Sequence, residues 1–390
     1  MAITLAKVVP VGARPLRPTR AEIDLDAIAH NVRQLRDLVA PSAVIAVVKA
    51  DGYGHGAVPV ARAALQAGAA WLAVALVEEA EELREAGVTA PILLLSEPTP
   101  EAARRAMSAD VVPTLYSLGF GEALAGEARR RGRPMSVHVK ADTGMARVGV
   151  PPSEWDGFLR VVRGWPELEV DGLWTHLACA DVPGDPSVAL QLDRFDAFIR
   201  LAHEQGLQPT LVHAANSAAA LTLERSRLDA VRLGIAIYGC PPSPALAGVG
   251  DLRPALRLVT EVAFVKRIDE GTPVSYGHTW RAPHDGWLVT LPLGYADGLP
   301  RLLSNRADVL VGGVRRPVVG TVCMDQILVW CGEHEVAMGD EVVLIGRQGA
   351  AEITVQDWAL WASTITYEIV TGLGRRVPRI YRGRMGERGE

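Results

Sequence analysis

The chain has 390 residues, of which 49% are hydrophobic and 22% charged, and it carries a formal net charge of −5. Such a chain can bury a core in each of two domains, and its composition excludes an intrinsically disordered protein. With no basic excess to hold nucleic acid or an anionic membrane, a small-molecule partner is expected.

The first twenty residues carry Lys7, Arg14, Arg17 and Arg20 with three prolines, but not the apolar stretch of a signal peptide. No later segment is apolar for long enough to span a bilayer. The cysteines Cys179, Cys240, Cys323 and Cys331 form no CxxC pair, so reduced thiols in a cytoplasmic protein without a metal site are expected. Residues 21–25 could lend a strand to a later domain, making 1–25 an N-terminal extension.

From about residue 27, short β-branched runs alternate with segments of helical period, the pattern of repeated βα units around a parallel sheet. Strands are predicted at 44–48, 71–76, 91–95, 111–115, 135–139, 173–176, 210–213 and 231–233. Helices are predicted at 27–39, 57–67, 78–86, 118–131 and 185–205, the last four each followed by a glycine suited to a left-handed cap. Eight strands over some 215 residues fit an α/β fold of the (β/α)8 barrel type, spanning 26–240. Periodicity alone does not separate such a barrel from an open doubly wound sheet. The placement of polar residues favours the barrel: Lys49, Lys140, His176, Asn216 and Arg232 each sit at or just past the end of a different run.

After Gly239 the pattern changes, and a proline-rich stretch leads into runs at 256–268, 287–293, 309–311, 318–322, 327–329 and 342–345. Residues 241–390 are therefore expected to form a mainly β domain, with one late helix near 355–362 and a polar tail from Arg382.

The strongest local feature is Ala46-Val47-Val48-Lys49-Ala50-Asp51-Gly52-Tyr53-Gly54-His55-Gly56, a buried strand ending in lysine before a glycine-punctuated turn. A lysine at the mouth of an apolar site loses hydration, its amine gives up its proton more readily, and it can form an imine with an aldehyde. The ordinary reading of one strand-end lysine is a solvated charge. Tyr53 could donate to a phosphate or simply pack on the rim.

A second segment, His138-Val139-Lys140-Ala141-Asp142-Thr143-Gly144-Met145-Ala146-Arg147, brings Lys140, Asp142 and Arg147 into one loop. It suits a carboxylate ligand, or a plain salt-bridge cluster. His176 ends a further strand, where a structural imidazole is the commoner occupant. In the last two units, Ser217 opens a helix and Gly234 and Ile235 follow a strand, so amides and a hydroxyl could converge on a phosphate. In the second domain, the Gly294-Tyr295-Ala296-Asp297-Gly298 and Cys323-Met324-Asp325-Gln326 segments each read alone as turn chemistry.

Taken together, in this order, these segments resemble the alanine racemase family, from about Arg20 to Tyr381. The resemblance implies a cytoplasmic homodimer with shared active sites, each a barrel site completed by the partner's β domain. It also implies reversible interconversion of L- and D-alanine on pyridoxal 5'-phosphate (PLP), supplying D-alanine for peptidoglycan. Lys49 would hold PLP as a Schiff base and act as base toward the D enantiomer. Tyr295 from the other subunit would act toward the L enantiomer, polarised by His176 and Arg232. Tyr53, Ser217, Gly234 and Ile235 would bind the phosphate, and Arg232 would face the ring nitrogen. Arg147 and the Met324 backbone would hold the substrate carboxylate, with Lys140 and Asp325 in support. Lys140 falls at a position carbamylated in several members.

Members often carry Asn-Ala or Asp-Ala where this chain has Asp51-Gly52, and Gly where it has Ala146. A phosphate-binding tyrosine found in some members before Arg-Val-Pro-Arg is absent, since Arg375 and Arg376 precede Val377. An amino-acid decarboxylase of the same PLP class would need an acidic residue facing the ring nitrogen, where this chain offers Arg232. A broad-specificity racemase is typically exported, and a PLP-binding regulatory protein would lack the Tyr295 domain.

Overall fold

The computed structural model describes residues 16–383. Lys7, Arg14 and the polar tail beyond residue 383 lie outside the described residues. Two compact units are present: one runs from Ala27 to Arg253, and the other joins the chain up to Asp26 with the chain from Pro254 onward. Residues 241–253 therefore group with the first unit.

The first unit is a (β/α)8 barrel. Its strands are β1 (Ala43–Val47), β2 (Trp71–Val74), β3 (Ile92–Leu94), β4 (Val112–Leu115), β5 (Met135–Lys140), β6 (Leu168–Trp174), β7 (Leu211–His213) and β8 (Ala230–Leu233). Neighbours from β1 to β7 pair in sequence and in parallel, and β8 pairs with β1. Asp229 N donates to Val212 O at 3.1 Å and Arg232 N to Ala215 O at 3.0 Å, bringing β8 beside β7 and closing the ring. Strands covered on both faces read as unbroken apolar runs, as β1 and β3 do.

Helix Leu118–Arg131 starts where Ser117 accepts from Phe120 N and ends at Gly132 in the left-handed region. Asp185 caps helix Pro186–Glu204 in the same way. Several elements differ from expectation, among them helix Ala103–Ser108, unpredicted between β3 and β4. Strand β6 begins at Leu168 and ends at Trp174, rather than spanning 173–176. Helix Trp155–Arg163, unpredicted, buries Trp155, Phe158, Leu159 and Val162 along one stripe.

The second unit is mainly β. One sheet runs in the order Val314–Pro317, Asp308–Val311, Glu341–Gln348, Leu256–Glu261, Arg20–Asp24, Arg379–Arg382. The N-terminal strand thus lies between two strands more than 200 residues away in sequence, antiparallel to the first and parallel to the second. The run 256–268 is two strands, Leu256–Glu261 and Phe264–Ile268, which belong to different sheets. The run 318–322 is not a strand and makes only an isolated bridge from Val318 to Val329, because Gly320 turns the chain at φ 74. The late helix spans Val355–Trp361, capped by Thr354, and a second helix, Thr366–Thr371, follows it.

Candidate active site

In the barrel unit, Lys49 stands two residues past β1. After it the chain makes a left-handed turn: Ala50, Asp51, Gly52 and Tyr53 have φ of 53°, 53°, 58° and 51°. Left-handed backbone costs roughly 1–2 kcal/mol at each non-glycine residue. Local bonds offset that cost: Gly54 N donates to Ala50 O at 2.9 Å, and Ala57 N to Asp51 Oδ1 at 2.9 Å. Tyr53 is carried inward and stacks on Tyr238, with ring centroids 4.9 Å apart. Burial pushes the Tyr53 phenol up to about 12, so it stays protonated and able to donate.

A cradle for an anion forms beside Tyr53. Gly234 N donates to Ser217 Oγ at 2.9 Å, which draws the start of helix Ser217–Thr222 against the short helix Ile235–Tyr238. Asn216 caps the first helix, accepting from Ala219 N at 3.0 Å. A Cβ on Gly234 would stand 2.6 Å from Tyr53 Oη, so only glycine leaves this space open. Amides, a hydroxyl and a phenol thus converge on a pocket that suits a phosphate.

Arg232 is buried inside the barrel. Its Nη1 donates to His213 Nδ1 at 2.7 Å and to His213 O at 3.2 Å. Its Nη2 donates to Thr175 O at 2.8 Å and Ala214 O at 2.9 Å, with His176 Nδ1 at 3.3 Å. The guanidinium also lies over the Trp174 ring, 4.6 Å from its centroid. Those bonds engage the terminal nitrogens and leave Nε–H to donate to a ligand. Burial lowers the group to about 9, which still leaves it charged at neutral pH.

Positive charge dominates the surroundings. Burial first, and then Arg147, lower the Lys49 amine, while Glu79 opposes them. Lys140, 4.2 Å above the Trp174 ring, is lowered to about 7 by burial, Arg232 and Arg147. His176 is held well below its usual range by burial and the same cations, and is therefore neutral. Such a cluster suits a ligand bearing both a phosphate and a carboxylate. Arg147 is exposed on its loop. Asp142 does not pair with Arg147 in an ion pair among the described residues. Its Oδ1 accepts from Gly144, Met145 and Ala146 N at 2.9, 3.0 and 3.1 Å, which shapes the loop.

Tyr295, Met324 and Asp325 belong to the second unit. Tyr295 N donates to Cys323 O and Ala296 N to Met324 O, both at 3.0 Å, so their two turns form one body. Gly294 permits the approach, since a Cβ there would meet Cys323 O at 2.2 Å. Arg376 braces both turns, through Asp325 at 2.7 Å and the buried Asp297 at 3.2 Å.

Sequence reasoning gave no role to His138, His213 or Tyr276. His138 shares an inward face with Lys140 by the two-residue period of β5, which was the available signal. Tyr276 is 74% exposed, against 43% for Tyr295. It is flanked by Ser275 at φ 62 and His278 at φ 49, and it lines a cavity of about 430 Å³ with Cys323 and Gln326. Among the described residues no cluster of His, Cys, Asp or Glu could hold a metal ion, and no helix is long and apolar enough to cross a membrane.

A barrel whose rim gathers an amine of lowered proton affinity, an anion cradle and a buried guanidinium, with a mainly β unit in the same chain, defines a two-domain barrel protein suited to a small phosphate-bearing ligand. Residues 23–242 match the family signature described as alanine racemase, N-terminal domain, and residues 255–381 match its C-terminal domain. An alanine racemase of Symbiobacterium thermophilum is 48% identical over 369 residues, covering 94% of this chain and 98% of that protein. The crystal structure of alanine racemase from D-cycloserine-producing Streptomyces lavendulae aligns with a TM-score of 0.93 at 44% identity, over 96% of this chain and 99% of that one. Histidine racemase from Leuconostoc mesenteroides aligns at 0.86 and 30% identity, over 95% and 99%. The chain belongs to the alanine racemase family.

Proposed function

We propose that the chain interconverts L- and D-alanine with PLP held on Lys49, in a cytoplasmic homodimer whose subunits share each site. The observation that carries this reading is the meeting, on one barrel rim, of an amine of lowered proton affinity and an anion cradle that a Cβ on Gly234 would fill. When bound, PLP supplies an electron sink that acidifies the Cα–H of an amino acid joined to it. Tyr53, Ser217, Gly234 and Ile235 would hold its phosphate, and Arg232 would turn its Nε–H to the ring nitrogen. A guanidinium keeps its proton, so Arg232 would donate Nε–H to the ring nitrogen's lone pair without protonating it.

Inversion at Cα needs a proton removed from one face and returned to the other, hence acid–base groups on both faces. Lys49 Nζ serves one face, since burial and Arg147 favour its neutral amine. A phenol of the partner's second unit serves the other. The family resemblance assigns Tyr295. A second reading assigns Tyr276, favoured by positive φ at its non-glycine neighbours Ser275 and His278, because such strain gathers at functional sites.

His176 accepts at Nδ1 from Arg232, so its Nε2–H is free to donate to that phenol oxygen. Arg147 and the Met324 backbone would hold the substrate carboxylate, and Asp325 would steady Met324 through Arg376. Lys140, lowered to about 7, is partly neutral at physiological pH and open to carbamylation, which would let it pair with Arg147. The D-alanine formed would feed peptidoglycan. Chiral analysis after incubation with L-alanine, L-serine and L-histidine tests the reading: alanine should turn over fastest, and a clear preference for histidine would refute it.

A further inference from the structure

Glu79 lies in the first turn of helix Val77–Glu85, where a glutamate ordinarily reaches back to the amide at its own helix start. Here the carboxylate is divided. Oε2 accepts from Ala75 N at 2.7 Å and Leu76 N at 3.1 Å, while Oε1 crosses to the neighbouring βα loop and accepts from Ala50 N at 2.6 Å. Ala50 follows Lys49 directly and is the first residue of the left-handed turn, at φ 53. The bond therefore fixes the peptide from which the Lys49 side chain departs.

Charge points the same way. Arg147 disfavours the Lys49 ammonium and Glu79 favours it, while Lys49 in turn helps to lower Lys140 and His176. We propose that Glu79 is a positioning residue for the reaction: its carboxylate anchors the main chain at Lys49 and brings a negative charge onto the lysine's own loop. This rests on the reading of Lys49 as the cofactor lysine.

The test uses the full-length chain and its Glu79→Gln variant, reacted with pyridoxal phosphate across a pH series, reduced, and mapped by peptide mass spectrometry. Glutamine keeps the shape but loses the charge, so the pH of half-maximal labelling of Lys49 should fall. Equal midpoints in two folded proteins would overturn the role of Glu79 alone. Labelling of a different lysine in the unchanged protein would instead overturn the reading of Lys49, and this role with it. Hydrogen exchange in the unchanged protein gives a second check that needs no variant: the Ala50 amide should be as protected as those of Ala75 and Leu76, and free exchange at Ala50 would contradict the anchor.

Discussion

Arg232 Nη1 and His213 Nδ1 lie 2.7 Å apart, and this contact sets the hydrogens on three side chains in a row. A guanidinium only donates, so His213 accepts at Nδ1 and carries its hydrogen on Nε2. That nitrogen is 3.0 Å from His138 Nδ1, which must accept in turn, leaving the His138 hydrogen on Nε2. His138 Nε2 is buried without a partner among the described residues. The relay works only while both imidazoles are neutral, so it binds the guanidinium's orientation to pH.

Acid should therefore loosen the barrel. Burial holds His138 down to about 4, and His213 and His176 are lowered as well. An unfolded histidine titrates near 6.5, so from about pH 6.5 to 4 the unfolded chain binds more protons than the folded one. Stability is complete above that window and falls within it, by roughly 3 kcal/mol from His138 alone. Denaturant titrations across this range should show the slope, and His138→Gln should flatten it. A level profile in the unchanged protein would contradict the relay.

Exchange of the Cα hydrogen in heavy water distinguishes the two phenols. Replacing the acting tyrosine by phenylalanine should slow exchange from L-alanine by about 10²–10⁴-fold while leaving exchange from D-alanine far less affected. The resemblance expects this of Tyr295→Phe, and the strained backbone at Ser275 and His278 expects it of Tyr276→Phe. Equal losses for both enantiomers in both variants would rule out a base on each face.

Ala146 holds φ at 55, in the left-handed region that favours glycine. Ala146→Gly should raise stability by about 1 kcal/mol, because glycine takes that conformation without a Cβ clash. The thermal midpoint should rise by roughly 1–2 °C. A fall would show that the three bonds to Asp142 already relax the loop.

Lys140 should carry a carbamate when the protein is kept in bicarbonate, since its amine is lowered to about 7. Native mass spectrometry would show the added carbon dioxide, and Lys140→Ala should abolish it. Persistence of the adduct in that variant would place it elsewhere.

The barrel was legible because strands such as Ala43–Val47 and Ile92–Leu94 are buried on both faces and bounded by helix caps. The start of Leu168–Trp174 was hidden by Glu169 and Asp171, which are partly or fully exposed at its beginning. Helix Trp155–Arg163 was masked by Pro151, Pro152 and Gly157, although its apolar stripe is regular. Nothing local marks the break between Leu256–Glu261 and Phe264–Ile268, where the chain changes sheets without glycine or proline. In the site, Lys49 and its turn could be read from residue order. The left-handed backbone after it, and the contact of His213 with His138 across 75 residues, exist only in the folded barrel.

The most direct test of the central claim compares the unchanged protein with Lys49→Ala, each supplied with PLP and L-alanine, by chiral chromatography and visible absorption. The unchanged protein should form D-alanine and show the band of lysine-bound PLP, and Lys49→Ala should do neither. D-alanine formed at a similar rate by Lys49→Ala, or PLP bound by the unchanged protein without any D-alanine, would contradict it.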